Sequence, residues 1–299
     1  MKTIQIGNRE LSVKDYYCAQ EGAYIPRDDG RLWLYVNITD VCPGRCPFCV
    51  NPGRKSGSTP FDIQRFRDVL AVIRPHVYGV SFTGGEPMTE PAILDEAIRA
   101  AAEIMGRHVE IDLVTGGIDI PGILSLGAAG ALDSIHISRH RIDDLENRRL
   151  MGIPAASGNE IRKMVSALSD PAKVTLNCML QKGGVSDLAD IAEYLSFAAG
   201  LGVSNVSFIG MIEANGYCKE HYVNPGTIDF SKDAKFRIWN SFRDHEFCSC
   251  SSGDYFTGSG WIRFYYRSPG NAKPPYARQL VYTADNKLLD GFGGAEIIF

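Results

Sequence analysis

The 299-residue chain is short of several things. It has no basic excess: 31 Lys and Arg stand against 35 Asp and Glu, a net charge of -4, so nucleic-acid binding would need a local patch rather than a global field. No basic-then-apolar segment of the signal-peptide kind opens the sequence, since Met1-Lys2 leads into a polar alternation through Thr3, Gln5, Asn8, Arg9 and Glu10. It has no long hydrophobic run; the longest weakly polar stretch, residues 122–132, is too short to span a bilayer and carries Ser125. Internal repeats and low-complexity tracts are absent, and eight cysteines are too sparse for a secreted disulfide scaffold. The expected setting is a reducing cytoplasm, with neither a membrane nor a nucleic acid as partner. What is present is 44% hydrophobic and 22% charged residues, enough for a packed core in one large domain with at most a small appendage.

From residue 32 onward, β-branched runs alternate with amphipathic stretches. Strands are predicted near 32–38, 78–83, 109–115, 133–138, 173–179 and 204–210, and helices near 61–73, 91–105, 121–129, 158–168, 187–200 and 231–245, with Thr89 and Pro91 as start signals for the second helix. Such alternation builds a parallel sheet, and six units point to an open barrel rather than a closed eight-unit one. Outside it, residues 2–13 read as a hairpin turning at Gly7-Asn8, Trp261–Arg267 and Gln279–Thr283 as two antiparallel strands, and 252–260 and 268–275 as loops. The fold class is therefore α/β, a partial (β/α)6 barrel, with an N-terminal extension over 1–30, a core over 31–215 and a small β-containing C-terminal lobe over 216–299 that includes the last core helix.

Period-two patterning adds a chemical expectation. Tyr35 and Asn37, Ser81 and Thr83, Ser134, His136 and Ser138, Thr175 and Asn177, and Asn205 and Ser207 each share one face of their strand. The opposite faces carry Leu34 and Val36, Val80 and Phe82, Ile135 and Ile137, Val174 and Leu176, and Val206 and Phe208. A polar inner face in place of the usual branched apolar filling suggests a lumen that holds a polar ligand.

Three cysteines, Cys42, Cys46 and Cys49, fall within eight positions directly after the first strand, on the face where barrel sites assemble. Gly44, Pro43 and Pro47 permit tight turns there, so one short loop can wrap a metal cluster. A structural zinc needs four ligands, and the loop holds three; a site completed by a distant residue such as His76, or thiols with no metal, are the competing readings.

The spacing CxxxCxxC, with Phe48 before the last cysteine, resembles the radical S-adenosylmethionine (radical SAM) superfamily. Thr83-Gly84-Gly85-Glu86-Pro87 after the second strand is similar to that superfamily's Gly-Gly-Glu motif. The resemblance implies that Cys42, Cys46 and Cys49 hold a [4Fe-4S] cluster whose open iron is chelated by SAM, and that Gly84, Gly85 and Glu86 orient the methionine moiety. It implies that Thr115 and Ser138, at strand ends, contact SAM, and that Asn177 touches cofactor or substrate. It also implies an electron donor such as flavodoxin or ferredoxin, cleavage of SAM to a 5'-deoxyadenosyl radical, and hydrogen abstraction from a substrate.

The C-terminal cysteines are similar in part to the SPASM and Twitch branches, where a small lobe binds an auxiliary [4Fe-4S] cluster. Residues 282–288 resemble the hairpin of that lobe, yet Asp290-Gly291-Phe292 stands where its cysteine is expected, and Cys248-Ser249-Cys250 has one intervening residue instead of two. Cys218, Cys248 and Cys250 are the candidate auxiliary ligands. Alternatively Cys248 or Cys250 is the catalytic group, returning a hydrogen atom to a substrate radical and so epimerising that carbon. Epimerisation ranks ahead of dehydrogenation through an auxiliary cluster, and a non-enzymatic iron-sulfur or zinc protein is the competing class. Cys178 reads as a core residue, and Cys18 carries no assignment. Arg139, His140 and Arg141 are candidates for an acidic substrate group and Glu213 for an amine or hydroxyl, while Arg148 and Arg149 read as a solvated face. About forty residues precede the cysteine loop, too few for the leader-binding domain of many peptide-modifying relatives, so the expected substrate is a polar small molecule such as a sugar or aminocyclitol.

Overall fold

The structure is a computed structural model that describes residues 2–13, 16–18, 24–26, 31–50, 60–244, 248–269 and 275–299. Two antiparallel pairs open the chain: β1 (Lys2–Ile6) with β2 (Arg9–Val13), and β3 (Tyr16–Cys18) with β4 (Tyr24–Pro26). The first is the expected hairpin, turning at Gly7, whose φ of +52° suits glycine. The core runs β5 (Leu32–Thr39), α1 (Ile63–Ile73), β6 (Val77–Gly84), α2 (Pro91–Met105), β7 (Glu110–Thr115), α3 (Ile120–Ser125), β8 (Ser134–Ser138), α4 (Asp144–Met151), α5 (Gly158–Ala167), β9 (Val174–Leu180), α6 (Leu188–Gly200) and β10 (Asn205–Gly210). After it come α7 (Gly216–Glu220), β11 (Phe236–Asp244), β12 (Cys248–Phe256), β13 (Trp261–Pro269), β14 (Gln279–Tyr282), β15 (Leu288–Leu289) and β16 (Glu296–Ile297).

β5 to β10 lie side by side in chain order and all parallel, as the βα alternation requires. Their apolar faces form the core: Leu34, Val36, Val80, Phe82, Leu113, Val174, Leu176, Val206 and Phe208 are fully buried among Phe66 and Leu70 of α1, Leu94 and Ile98 of α2, Ile161 of α5 and Ile191 of α6. Local signals set the helix starts. Asp62 accepts from the Arg65 amide at α1, and Ser157 with Glu160 forms a capping box at α5. α2 starts at Pro91 as expected, but Thr89 bonds back to the Glu86 carbonyl instead of capping it.

The segment after β10 departs from expectation. Within the helix expected over 231–245, the described residues form a 3-10 turn (Phe230–Lys232) and then strand β11; Phe236-Arg237-Ile238 satisfies a period of two as well, and antiparallel pairing with β12 decides between them. Residues 252–256, expected in a loop, belong to β12. The strands expected near 261–267 and 279–283 exist but do not pair with one another: β13 adds in parallel to β10, and β14 adds in parallel to β5. Among the described residues the sheet has twelve strands, running from β11 at one edge to β16 at the other, with strands that follow residue 216 at both edges. The expected third helix ends early, at Ser125, and α4 was not anticipated because its polar sequence carries no apolar stripe. The N-terminal hairpin meets the C-terminal strands: Asn8 donates from its amide to the Ile298 carbonyl at 2.9 Å and accepts the Ile298 amide on its side chain at 2.8 Å, and Arg9 pairs with Asp290 at 2.9 Å. Among the described residues no helix is long and apolar enough to cross a membrane.

Candidate active site

The cysteine loop leaves the carboxyl end of β5 and lies against the turn after β6. The Gly85 amide donates to the Thr39 carbonyl at 2.7 Å and the Glu86 amide to the Val41 carbonyl at 2.9 Å. This close approach explains both glycines: Gly84 has φ +122°, and a Cβ on Gly85 would sit 2.1 Å from the Val41 oxygen. On its other side the loop rests on the end of α4, where Gly152 closes the helix with φ +65°. The Arg45 amide donates to the Met151 carbonyl at 2.7 Å, and the Cys46 thiol lies 3.7 Å from the same oxygen. Phe48 is buried against Met211 and Cys218 and meets the His140 ring edge-on, with centroids 4.8 Å apart. Asn215 holds the loop from outside by donating to the Pro47 carbonyl at 3.0 Å.

The Cys42, Cys46 and Cys49 residues are half-buried on this one loop, a thiolate-rich donor set of the kind that suits an iron-sulfur cluster. Among the described residues no group of three or more His, Cys, Asp or Glu side chains is placed to hold a single metal ion, whereas a four-iron cluster takes each thiolate on a separate iron. His76 cannot complete a zinc site here. It precedes β6 at the amino end, and the eight residues of that strand put it about 25 Å from the carboxyl end where the loop sits.

Glu86 is buried, and its carboxylate accepts from the Thr115 hydroxyl at 2.6 Å, the Gly116 amide at 2.6 Å and the Met88 amide at 3.1 Å. Burial pushes its pKa up, and those three hydrogen bonds oppose the shift. Thr115 also accepts from the Gly117 amide at 3.0 Å, so its hydroxyl proton is committed to Glu86. Glu86 thus ties the exit of β6 to the exit of β7 and braces the rim of the site.

The expected polar face is present on β8, β9 and β10 and extends through Asp112 of β7 to Ser81 of β6, with Val114 interrupting it beside His136. Ser81, Asp112 and Ser134 form one row; His136, Thr175, Asn205 and Arg263 form the next; Ser138, Asn177, Ser207 and Tyr265 the third. Ser81, Asp112, Ser134, His136, Thr175, Asn177 and Ser207 are all buried. His136 Nδ1 lies 3.3 Å from Asn177 Oδ1, Nε2 lies 2.9 Å from the Ser134 hydroxyl, and Asp112 stands 3.6 Å from Nε2. Burial, then the charge of Arg267, lower the His136 pKa to about 4, so the ring is neutral at pH 7. Asp112 was not among the candidates, although an aspartate inside an apolar strand was a readable signal.

Other expectations change. Arg139 is not open to a substrate: it is 1% exposed and donates to the carbonyls of Ala156 at 3.0 Å and Ile142 at 2.5 Å and to Asp144 at 2.7 Å, with Phe197 beneath its guanidinium. His140 is buried and accepts the Met179 amide on Nδ1 at 3.1 Å; burial, then the Arg141 charge, lower its pKa to about 3. Arg141 is half-buried and donates to the His140 carbonyl at 2.9 Å. Arg148 is not simply solvated, since it donates to the Ala155 carbonyl at 2.9 Å, while Arg149 and Glu213 are exposed. Cys178 is fully buried on the apolar face, with its pKa raised by that burial. Cys218, on α7, is enclosed beneath the cysteine loop. Cys250 is buried on β12, paired with Arg267 of β13, which is itself level with Ile209 of β10 and Met179 of β9. Those are positions two beyond Ser207 and Asn177, so Cys250 belongs to the polar face near the carboxyl ends of the core strands. The side chains of Cys18 and Cys248 lie outside the described residues.

Parallel core strands flanked by helices, with a polar face and a three-cysteine loop at their carboxyl ends, have the arrangement of a partial α/β barrel. The Radical SAM superfamily matches residues 36–198, more than half of the chain, and the protein belongs to that superfamily. It is 28% identical over 209 residues to a GTP 3',8-cyclase of Aquifex aeolicus, covering 67% of this chain and 60% of that protein. It is 28% identical over 179 residues to a PqqA peptide cyclase of Gluconobacter oxydans, covering 58% of this chain and 47% of that protein. The chain thus spans about half to three fifths of the length of these curated relatives. Streptococcus suis SuiB bound to S-adenosylmethionine has the same fold, with a TM-score of 0.50 at 17% identity over 67% of this chain and 44% of that one. The cofactors of the superfamily are a [4Fe-4S] cluster and SAM.

Proposed function

We propose that this radical SAM enzyme acts on a polar small molecule held against the inner face of the sheet and epimerises one of its carbons, with Cys250 as the hydrogen-atom donor. The observation that carries the reading is the location of Cys250, on the polar face and level with the carboxyl ends of β9 and β10, the end from which the cysteine loop emerges. A donor must approach the substrate carbon from the side opposite the abstracting radical, and β12 lies beyond β10, well across the sheet from β5.

In this reading Cys42, Cys46 and Cys49 hold the cluster, which together with SAM supplies a 5'-deoxyadenosyl radical after one-electron reduction. Gly84 and Gly85 keep the backbone of the turn open to the methionine moiety, and Glu86 and Thr115 hold that turn rigid. Ser138 and Asn177 offer a hydroxyl and an amide along the same row of the inner face. Cys250 would give its hydrogen atom to the substrate carbon, leaving a thiyl radical that one electron from a donor of the flavodoxin or ferredoxin class and one proton from solvent return to the thiol. The buried face excludes water from the open-shell carbon.

The test is turnover in deuterium oxide. Reconstituted enzyme, SAM and a reductant are incubated with a metabolite extract, and the expected product is an isomer that has gained one deuterium, absent with Cys250→Ala while 5'-deoxyadenosine still forms. An oxidised, unlabelled product overturns epimerisation in favour of dehydrogenation.

A further inference from the structure

Arg267 has no role in the reading above, and its surroundings are unusual for an arginine. β13 extends the parallel set beyond β10, so the carboxyl end of β13 joins the rim where the site assembles. There Arg267 is level with Ile209 on one side and Cys250 on the other, on the face that carries Ser207 and Asn177. Among the described residues its Nε and Nη2 are shielded from solvent and form no hydrogen bond, and the hydroxyl of Ser207, on the same face, is likewise buried and unbonded. Its charge contributes, after burial, to the lowered pKa of His136, three strands away in the sheet. Arginine cannot shed its charge, and a shielded guanidinium with two idle donors is unfavourable unless an acceptor arrives to use them. The neutral rings of His136 and His140 do not supply a counter-charge, and Asp112 lies further down the sheet, in the row of Ser81 and Ser134.

We propose that Arg267 binds an anionic group of the substrate, a carboxylate or a phosphate, and so fixes the reacting carbon beside Cys250. Two parallel N–H donors match the paired oxygens of either group. This deepens the epimerase reading and rests on it: the substrate is an anionic polar molecule rather than a neutral or purely cationic one.

The test uses reconstituted holoenzyme with SAM bound and two probes, inorganic phosphate and acetate, followed by ligand-observed NMR. The expected result is saturable binding of at least one probe, weakened about tenfold or more by Arg267→Gln and to a smaller extent by Arg267→Lys, which keeps the charge but loses the paired donors, with exposed Arg149→Gln as the charge-matched control. Preference for phosphate or for acetate assigns the anion. Binding that is absent from the wild type, or equal in Arg267→Gln, overturns the proposal. So does a loss of SAM affinity in Arg267→Gln, measured by equilibrium dialysis, which would give the arginine to the cofactor's own carboxylate. Formation of 5'-deoxyadenosine by the same wild-type preparation is scored separately, so failure of the radical chemistry is distinguished from failure of the anion site.

Discussion

The Thr115 hydroxyl donates to the Glu86 carboxylate at 2.6 Å, joining the ends of two neighbouring parallel strands. The same carboxylate takes two backbone amides, so its removal strands three buried donors at once. Glu86→Ala is expected to destabilise the fold by about 3 kcal/mol or more, and a cycle with Glu86→Gln and Thr115→Val to return a coupling of about 1.5 kcal/mol. Urea denaturation of Glu86→Ala and of the four proteins of the cycle measures both; a coupling near zero would leave Glu86 without its bracing role.

Gly85→Ala forces a methyl group into the Val41 carbonyl, 2.1 Å from where its Cβ would sit, and the cysteine loop must move to admit it. Iron bound after anaerobic reconstitution is expected to fall well below the roughly four atoms per chain of a single cluster. Unchanged iron content in a folded Gly85→Ala protein contradicts the packing argument.

Arg139→Met leaves the carbonyls of Ala156 and Ile142 without their donor and Asp144 without its partner. The expected result is a loss of about 2–4 kcal/mol in stability. A variant of full stability that binds anions poorly would return Arg139 to the substrate site.

His136 and His140 stay neutral in the native state down to pH values of about 4 and about 3, while in the unfolded chain both protonate near about 6.5. The unfolded state therefore binds more protons over that interval, and stability rises with pH there. As pH falls from about 6.5 towards 4, stability is expected to drop with a slope approaching two protons per molecule. His136→Asn should remove about one proton from that slope in urea titrations at several pH values; an unchanged slope would mean that the ring is not held neutral.

Much of the site was legible because its signals are local. A loop of three closely spaced cysteines, a Gly-Gly-Glu turn and period-two strands each follow from neighbouring residues, and the polar inner face of β8, β9 and β10 emerged as read. The misread parts depend on partners far along the chain. Phe236-Arg237-Ile238 is compatible with either period until β12 pairs with it. Arg139 follows a strand end and resembles a ligand-binding residue until α4 and Phe197 enclose it. α4 itself, with no apolar stripe, gained meaning only as the platform beneath the cysteine loop.

By itself the sequence determined the superfamily, the alternating core and the polarity of its inner face, since spacing and periodicity are properties of consecutive residues. Only the tertiary structure decided that β13 and β14 extend opposite edges of the sheet and that Cys250 and Arg267 stand side by side on its inner face. Strand pairing between distant segments is set by register and shared burial, and no local pattern encodes which edge a strand will join.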